Sequence, residues 1–394
     1  MATAEPDGSS AATVPCSLRE LLLYFLRLGT LGFGGPIALA GYMQRDLVEQ
    51  RRWYSKQEYV EGLALAQLAP GPLAAQLAIY LGWVHAGVLG ATLVAAAFIL
   101  PSFCMVLGLS ALYVHFGGMP WMQGAFYGIG AAVIATIGRS AYKLVRLTLG
   151  KDWLLWAIFA TSASVTAWTA SEVVWLFAAG GVVALVVRAP PRLGRGSVRS
   201  VAPVWLLTGL LGTASVGILW TLGLYFVEAG AFVFGSGLAI VPFLHDGVVN
   251  KFHWLSERQF LDAVAVAMIT PGPVVITVAF IGYLVAGPLG AAAASLGVFL
   301  PCYLFVVIPA PYYRRFAGNR SIKAFVDGVT AAATGAIAGA AFVLGRRAIV
   351  DLPTVLIALV TLVVLVKIKK APEPLVILLA GVAGMVAHSA AHRL

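Results

Sequence analysis

Apolar residues fill most of the chain in long unbroken runs, and polar residues gather in short patches between them. In the first half the apolar segments span roughly 18–44, 57–83, 86–114, 119–145, 152–169 and 171–187. Such lengths suit helices, which need roughly 17 to 25 apolar residues to cross a bilayer. The runs show no alternation with period two, which excludes the strands of a membrane barrel. The pattern predicts an all-α polytopic membrane protein.

The runs repeat. Trp53-Tyr54-Ser55 recurs as Trp254-Leu255-Ser256, and Pro70-Gly71-Pro72 recurs as Pro271-Gly272-Pro273 at the same offset. Phe33-Gly34 matches Phe234-Gly235, Tyr59 matches Phe260, and Glu61 matches Asp262. After the loss of one residue, Gly87, Gly90 and Pro101 match Gly287, Gly290 and Pro301, and Gly128-Ile129-Gly130-Ala131-Ala132 matches Gly328-Val329-Thr330-Ala331-Ala332. Between the halves, Arg188 to Arg199 holds four arginines and two prolines and cannot continue a membrane helix. The expected organisation is a disordered tail at 1–17, one repeat at 18–187, a basic linker at 188–202 and a second repeat at 203–394.

Composition agrees with a bilayer as solvent: 60% apolar residues, 11% charged residues and a mean hydropathy of +0.92 leave too little polar surface for a water-soluble globule. The net charge of +10 lies in short clusters between apolar runs, so it reads as a topology signal and not as a nucleic-acid footprint. Cys16, Cys104 and Cys302 are far apart, so neither a disulfide framework nor a metal site is expected. His388 and His392 share a helical face only at the C-terminal end.

Charge also bears on orientation. The segment 57–83 has about 13 helical residues on each side of Pro70-Gly71-Pro72, near 20 Å, which is short of the roughly 30 Å hydrocarbon core. If it is a re-entrant hairpin, then Arg45, Arg51, Arg52, Lys56, the cluster 139–151 and the linker share one face, which the positive-inside rule makes cytoplasmic. Five crossings per half then invert the second repeat. That arrangement puts Arg314, Arg315, Arg320, Lys323, Lys367, Lys369 and Lys370 inside, but Arg346 and Arg347 outside. Splitting 203–243 into two crossings gives parallel halves instead. Both counts stay open.

A glycine or proline break at membrane depth is tolerated only where protein or a water-filled cavity satisfies the freed backbone. Corresponding breaks in two repeats are the expected address of a substrate site, and a half-helix N-terminus favours an anion. The candidate binding residues are therefore Gly34, Gly35, Pro36, Gln67, Pro70, Gly71 and Pro72, with Gly235, Ser236, Gly237, Thr270, Pro271, Gly272 and Pro273. Gln76 and Thr277 follow the two proline motifs. Kinks serving only helix packing are the competing reading. Arg45, Glu61 and Asp262 are candidates for coupling or gating, against a topology role for Arg45 and an interfacial place for the carboxylates. Asp327 stands opposite Tyr127 without a symmetric partner. No GxxxxGK[ST] loop, HExxH or GxSxG occurs, so neither ATP coupling within this chain nor catalysis is expected. A channel would need a charged lining ring that the apolar runs do not supply.

Phe33-Gly34-Gly35-Pro36 followed by Trp53, Gln67-Leu68-Ala69-Pro70-Gly71-Pro72 and the duplicated Thr270-Pro271-Gly272-Pro273 resemble the bidomain form of the chromate ion transporter family, over residues 18 to 390. The resemblance implies efflux of chromate, a tetrahedral dianion similar to sulfate, across the bacterial inner membrane, driven by the proton-motive force and conferring chromate resistance. The implied partners are chromate or a related oxyanion and the lipid bilayer, with no nucleic acid and no cofactor; a homodimer is left open. Alternating access would be a rocking of one repeat against the other. Sulfate fits the same signals. Gly235-Ser236-Gly237 stands where the first half has Gly34-Gly35-Pro36, so a strictly symmetric site is not expected.

Overall fold

The computed structural model describes residues 13–33, 35–116, 119–169, 174–189, 217–232, 240–312, 319–349, 351–368 and 372–391. These residues form helices and turns, with no strand among them. The two repeats and their opposed insertion can be followed from contact to contact.

Helix α1 (Leu18–Leu31) starts at a capping box in which the Ser17 hydroxyl accepts the Glu20 N–H and the Glu20 carboxylate accepts the Ser17 N–H. It stops at Gly32. Helix α2 (Gly35–Met43) then runs into a π turn, Gln44–Gln50. The Val14 N–H donates to the Arg52 carbonyl at 2.8 Å, so the chain leaves this segment on the face where it entered. The Tyr24 hydroxyl donates to Asp46, and the Arg51 guanidinium lies over Tyr24 and Trp53. Residues 18–44 are therefore no single crossing, as their apolar length suggested, but one arm and part of the return of a hairpin folded between Gly32 and Gly35.

A second hairpin follows from the same face. Helix α3 (Lys56–Leu68) is capped by Ser55 and Glu58, and α4 (Leu73–Phe116) is broken at Ala86-Gly87. A Cβ on Gly62 would meet the Tyr80 ring at 2.3 Å. Residues 62 and 80 lie equally far from Pro70-Gly71-Pro72, so α3 packs antiparallel to the first limb of α4, with the proline motif as the tip. Gly87 takes φ +58°, a left-handed conformation costly to other residues, and a Cβ on Gly82 would lie 2.5 Å from the Gly90 carbonyl. The chain thus folds back sharply at the hairpin base. From there the second limb, 88–116, runs about 43 Å at 1.5 Å per residue, enough to cross the bilayer.

The second repeat has the same parts: α8 (Ile218–Phe232), α9 (Ile240–His245) with the π turn Asp246–Lys251, α10 (Glu257–Ile269) capped by Ser256 and Gln259, and α11 (Thr277–Val307) broken at Ala286-Gly287. The second limb of α4 relates the two. It leaves the base of its own hairpin at Gly90, reaches the opposite tip where Ser102 lies against Gly272, and ends with Tyr113 packed on Phe280 and bonded to Asp262. It therefore runs from the base of one proline-glycine-proline hairpin to the tip of the other and on toward that hairpin's base. Thr92 of α4 meets Tyr303 of α11 at 2.8 Å, as an antiparallel pair requires. The bases lie on opposite faces, so the repeats are inverted. Single cysteines placed at Ser55 and Ser256 are expected to react with an impermeant maleimide from opposite sides; equal labelling from one side would sink this topology.

Six further helices lie beside the hairpins: α5 (Pro120–Thr148), α6 (Trp153–Thr169) and α7 (Val174–Arg188) from the first repeat, and α12 (Arg320–Ala348), α13 (Leu352–Lys367) and α14 (Glu373–Ala391) from the second. Among the described residues, α4, α5, α11 and α12 are long and apolar enough to cross a membrane. The six helices interlock across the repeats. Gly128 abuts Gly384, Gly180 abuts Gly328, and Gly335 abuts the Phe159 carbonyl, close approaches that only small residues allow. Arg139 pairs with Glu373 at 2.8 Å, Arg188 pairs with Asp327 at 3.0 Å and with Asp152, and the Tyr127 hydroxyl donates to Asp351. The repeats are consequently not two separate bodies. A hairpin core and a six-helix scaffold each draw on both, so the rocking expected of whole repeats has no matching division in the fold.

Positive charge is uneven between the faces. Arg51, Arg52, Lys56, Lys143, Arg146, Lys151, Arg188, Arg320, Lys323 and Lys367 lie at helix ends on the face of the first repeat's hairpin bases. The opposite face carries Lys251, Arg258, which donates to the Gln123 carbonyl at the start of α5, and Arg346. Arg314, Arg315, Lys369 and Lys370, the linker from 190 onward and the tail through 12 lie outside the described residues.

Candidate functional site

The hairpin tips meet at mid-depth. The Gly272 N–H donates to the Gly32 carbonyl at 3.0 Å, joining the proline-glycine-proline tip of one repeat to the glycine break of the other. The Ser102 hydroxyl donates to the Gly29 carbonyl at 3.3 Å, and a Cβ on Gly272 would stand 1.9 Å from that hydroxyl oxygen. The related arrangement holds at the first tip, where a Cβ on Gly71 would lie 3.2 Å from Cys302 Sγ. Ser102 and Cys302 are equivalent residues, so each tip is covered by the long helix of the other repeat. Gly71 and Gly272 take φ +139° and +100°, where a side chain is strained.

Gly71, Pro72, Thr270, Pro271, Gly272 and Pro273 are buried, and Pro70 is half-buried. The Pro72 carbonyl accepts the N–H groups of Ala75 and Gln76, so helix geometry begins directly after the motif and the first N–H groups of the limb have no partner within it. In the second repeat the start is a tight 3₁₀ turn, Val274–Ile276, capped by Pro273, with the Thr277 hydroxyl donating to the Val274 carbonyl. Pro72 and Pro273 thus stand directly before the two half-helices, at the cap and not at the first helical position. N-terminal ends of α2, α4 and α11 gather near the C-terminal ends of α1, α3 and α10. Positive helix ends suit an anion, and free carbonyls suit a cation.

The individual residues separate. Gly35 and Pro36 open α2, whereas Gly34, Gly235, Ser236 and Gly237 lie outside the described residues. Gln67 is exposed and does not join the buried centre; α3 carries it on the outward side with Val60. Gln76 takes that inward place instead. It is fully buried, its Nε2 donates to the Pro70 carbonyl at 2.5 Å, and its Oε1 has no partner. Its position one turn after Pro72 was the signal available in the sequence.

Glu61 is half-buried against Gln57 and Tyr80, within its own hairpin. Asp262 is buried and accepts a 2.7 Å bond from Tyr113 of the other repeat, so the interfacial alternative does not hold for it. Arg45, in the π turn that follows α2, is exposed, paired with Asp46 and set over the Tyr42 ring. Asp327 belongs to the Arg188 pair in the scaffold. No group of three or more metal-ligating side chains occurs among the described residues.

Inverted repeats whose broken helices meet at mid-depth define a membrane transport protein of the inverted-repeat class. The chain belongs to the chromate transporter family, which matches residues 19–185 and again 220–385, one match in each repeat. It is 58% identical over 394 residues to the chromate transport protein of Cupriavidus metallidurans, covering 98% of each chain. It is 56% identical over 375 residues to a probable chromate transport protein of Synechococcus elongatus, covering 94% of this chain and 95% of the relative. With the chromate transport protein of Pseudomonas aeruginosa it shares 33% identity over 344 residues, 84% of this chain and 81% of the other. No solved structure matches it.

Proposed function

We propose that the protein is a secondary transporter that exports chromate across the bacterial inner membrane, driven by the proton-motive force, and so confers chromate resistance. The junction at mid-depth supports this reading: the buried half-helix start after Gly272 bonds to the glycine break of the other repeat at Gly32, and the equivalent start after Gly71 is buried against Cys302 of the opposite repeat. Positive helix ends in a low-dielectric setting stabilise a tetrahedral oxyanion without a charged side chain of opposite sign. The richly basic face is cytoplasmic under the positive-inside rule, so the first repeat's hairpins open from the cytoplasm and the second's from outside. Asp262, buried between the repeats, is the group that takes up and releases the coupled proton. Access alternates as the hairpin core shifts against the six-helix scaffold.

Inverted membrane vesicles test this. Chromate is expected to enter them saturably when a proton gradient is imposed, and a protonophore should abolish accumulation. Absence of any chromate flux rejects the substrate, gradient-independent uptake rejects the coupling, and unsaturated conductance makes the protein a channel. Sulfate offered in competition measures selectivity.

A further inference from the structure

We infer that Gln76 makes the site selective for a protonated oxyanion, so that the ion carried is hydrogen chromate and fully deprotonated tetrahedral anions are refused. The inference rests on the chromate reading above and specifies which species binds.

One buried acceptor at the first tip has no partner. Gln76 lies on the first limb of α4, one turn from the tip, with none of its surface exposed. Its amide orientation is set by the Pro70 carbonyl, which can only accept, so Nε2 faces that carbonyl and Oε1 is left as an acceptor without a donor. A buried acceptor left unmade is costly. The amide packs against the tip itself, since a Cβ on Gly71 would stand 2.5 Å from Nε2. The half-helix start therefore offers two kinds of partner side by side: backbone N–H donors of Leu73 and Ala74 for anionic oxygens, and one carboxamide oxygen that wants an O–H.

Only a protonated anion satisfies both. Chromate takes up a proton close to neutral pH, whereas sulfate and selenate, which share its tetrahedral shape, do so only in strong acid. An oxygen without a proton placed against Gln76 Oε1 would set lone pair against lone pair and leave both unpaired. Sites that hydrogen-bond a substrate hydroxyl discriminate strongly against analogues lacking it. The second repeat has Thr277 at the equivalent position; its hydroxyl donates to the Val274 carbonyl and is not left without a partner, so of the two equivalent side chains only Gln76 holds an orphaned polar atom. Among the described residues the Cys302 thiol faces the first tip from another element; Glu61 with Tyr80 lies farther down the same hairpin, and Asp262 with Tyr113 on the opposite one.

Equilibrium binding to the purified full-length protein, without any gradient, is the test. Chromate is expected to bind the wild type at least about tenfold more tightly than selenate, the scale of one well-made hydrogen bond to a charged ligand. The chromate-to-selenate ratio should fall as pH rises through the loss of chromate's last proton. A pH effect from Glu61, Asp262 or Cys302 would act on both anions, so the ratio reports the proton of the ligand. In Gln76→Leu the ratio should approach one. Equal binding of selenate and chromate by the wild type, a ratio that ignores pH, or a ratio that survives in folded Gln76→Leu protein would each overturn the inference. The wild-type measurements decide even where the variant does not fold. Chromate flux without discrimination would sink only this inference; no chromate binding at all would sink the reading beneath it.

Discussion

Replacing Gly272 with alanine is expected to reduce chromate transport by roughly tenfold to a hundredfold in protein that still reaches the membrane, the factor that about 1–3 kcal/mol of local backbone strain implies. Two causes act together. The residue sits at φ +100°, and its new Cβ would stand 1.9 Å from Ser102 Oγ, forcing the tip away from Gly32 and breaking the bond between the two hairpins. Gly71→Ala should be milder, because its nearest neighbour is the movable amide of Gln76. Ser102→Ala combined with Gly272→Ala should recover part of the loss, since the remaining Ser102 Cβ is 3.1 Å away. Flux and membrane abundance measured together decide the case. Normal transport by Gly272→Ala would detach the tip from function, and loss of the protein from the membrane with no flux defect per molecule would leave the glycine a packing residue.

Asp262→Asn is expected to uncouple transport from the proton gradient. The amide oxygen still accepts the Tyr113 bond, so the packing between α10 and α4 survives while the titratable group is gone. Gradient-driven accumulation should collapse to the level reached without a pH gradient, because no group is left there to carry the proton, whereas chromate counterflow at equal pH persists. Glu61→Gln should do less, since Glu61 is only half-buried and already bonded to Gln57. Counterflow and accumulation falling in parallel would assign Asp262 to packing instead.

Much of this arrangement was legible before any coordinates. Pro70-Gly71-Pro72 and Pro271-Gly272-Pro273 announced hairpin tips because two prolines around a glycine break a helix where the single Pro101 and Pro301 do not, whereas the charge clusters left inverted and parallel halves both open. The crossing at 18–44 was misjudged for a physical reason: Gly32 to Gly35 breaks the helix without a polar residue, so hydropathy runs straight through the turn. The inward choice of Gln76 over Gln67 depends on which side of a hairpin faces the other repeat, and periodicity within one uniformly apolar segment does not reveal that. The Tyr113–Asp262 pair spans 149 residues and carries no local pattern at all.

The interlocked scaffold has a consequence for how the protein is made. Arg139 finds Glu373 only 234 residues later along the chain. At roughly 5–20 residues per second of synthesis, α5 waits on the order of 12 to 47 s beside the translocon before α14 exists to meet it. During that interval a complete first repeat sits in lipid with an arginine and a glycine-lined helix face uncovered, and with its counterpart yet to insert in the reverse sense. Assembly, more than the stability of the finished bundle, is where a substitution in this scaffold would first be felt, as a smaller yield of protein that transports normally once made.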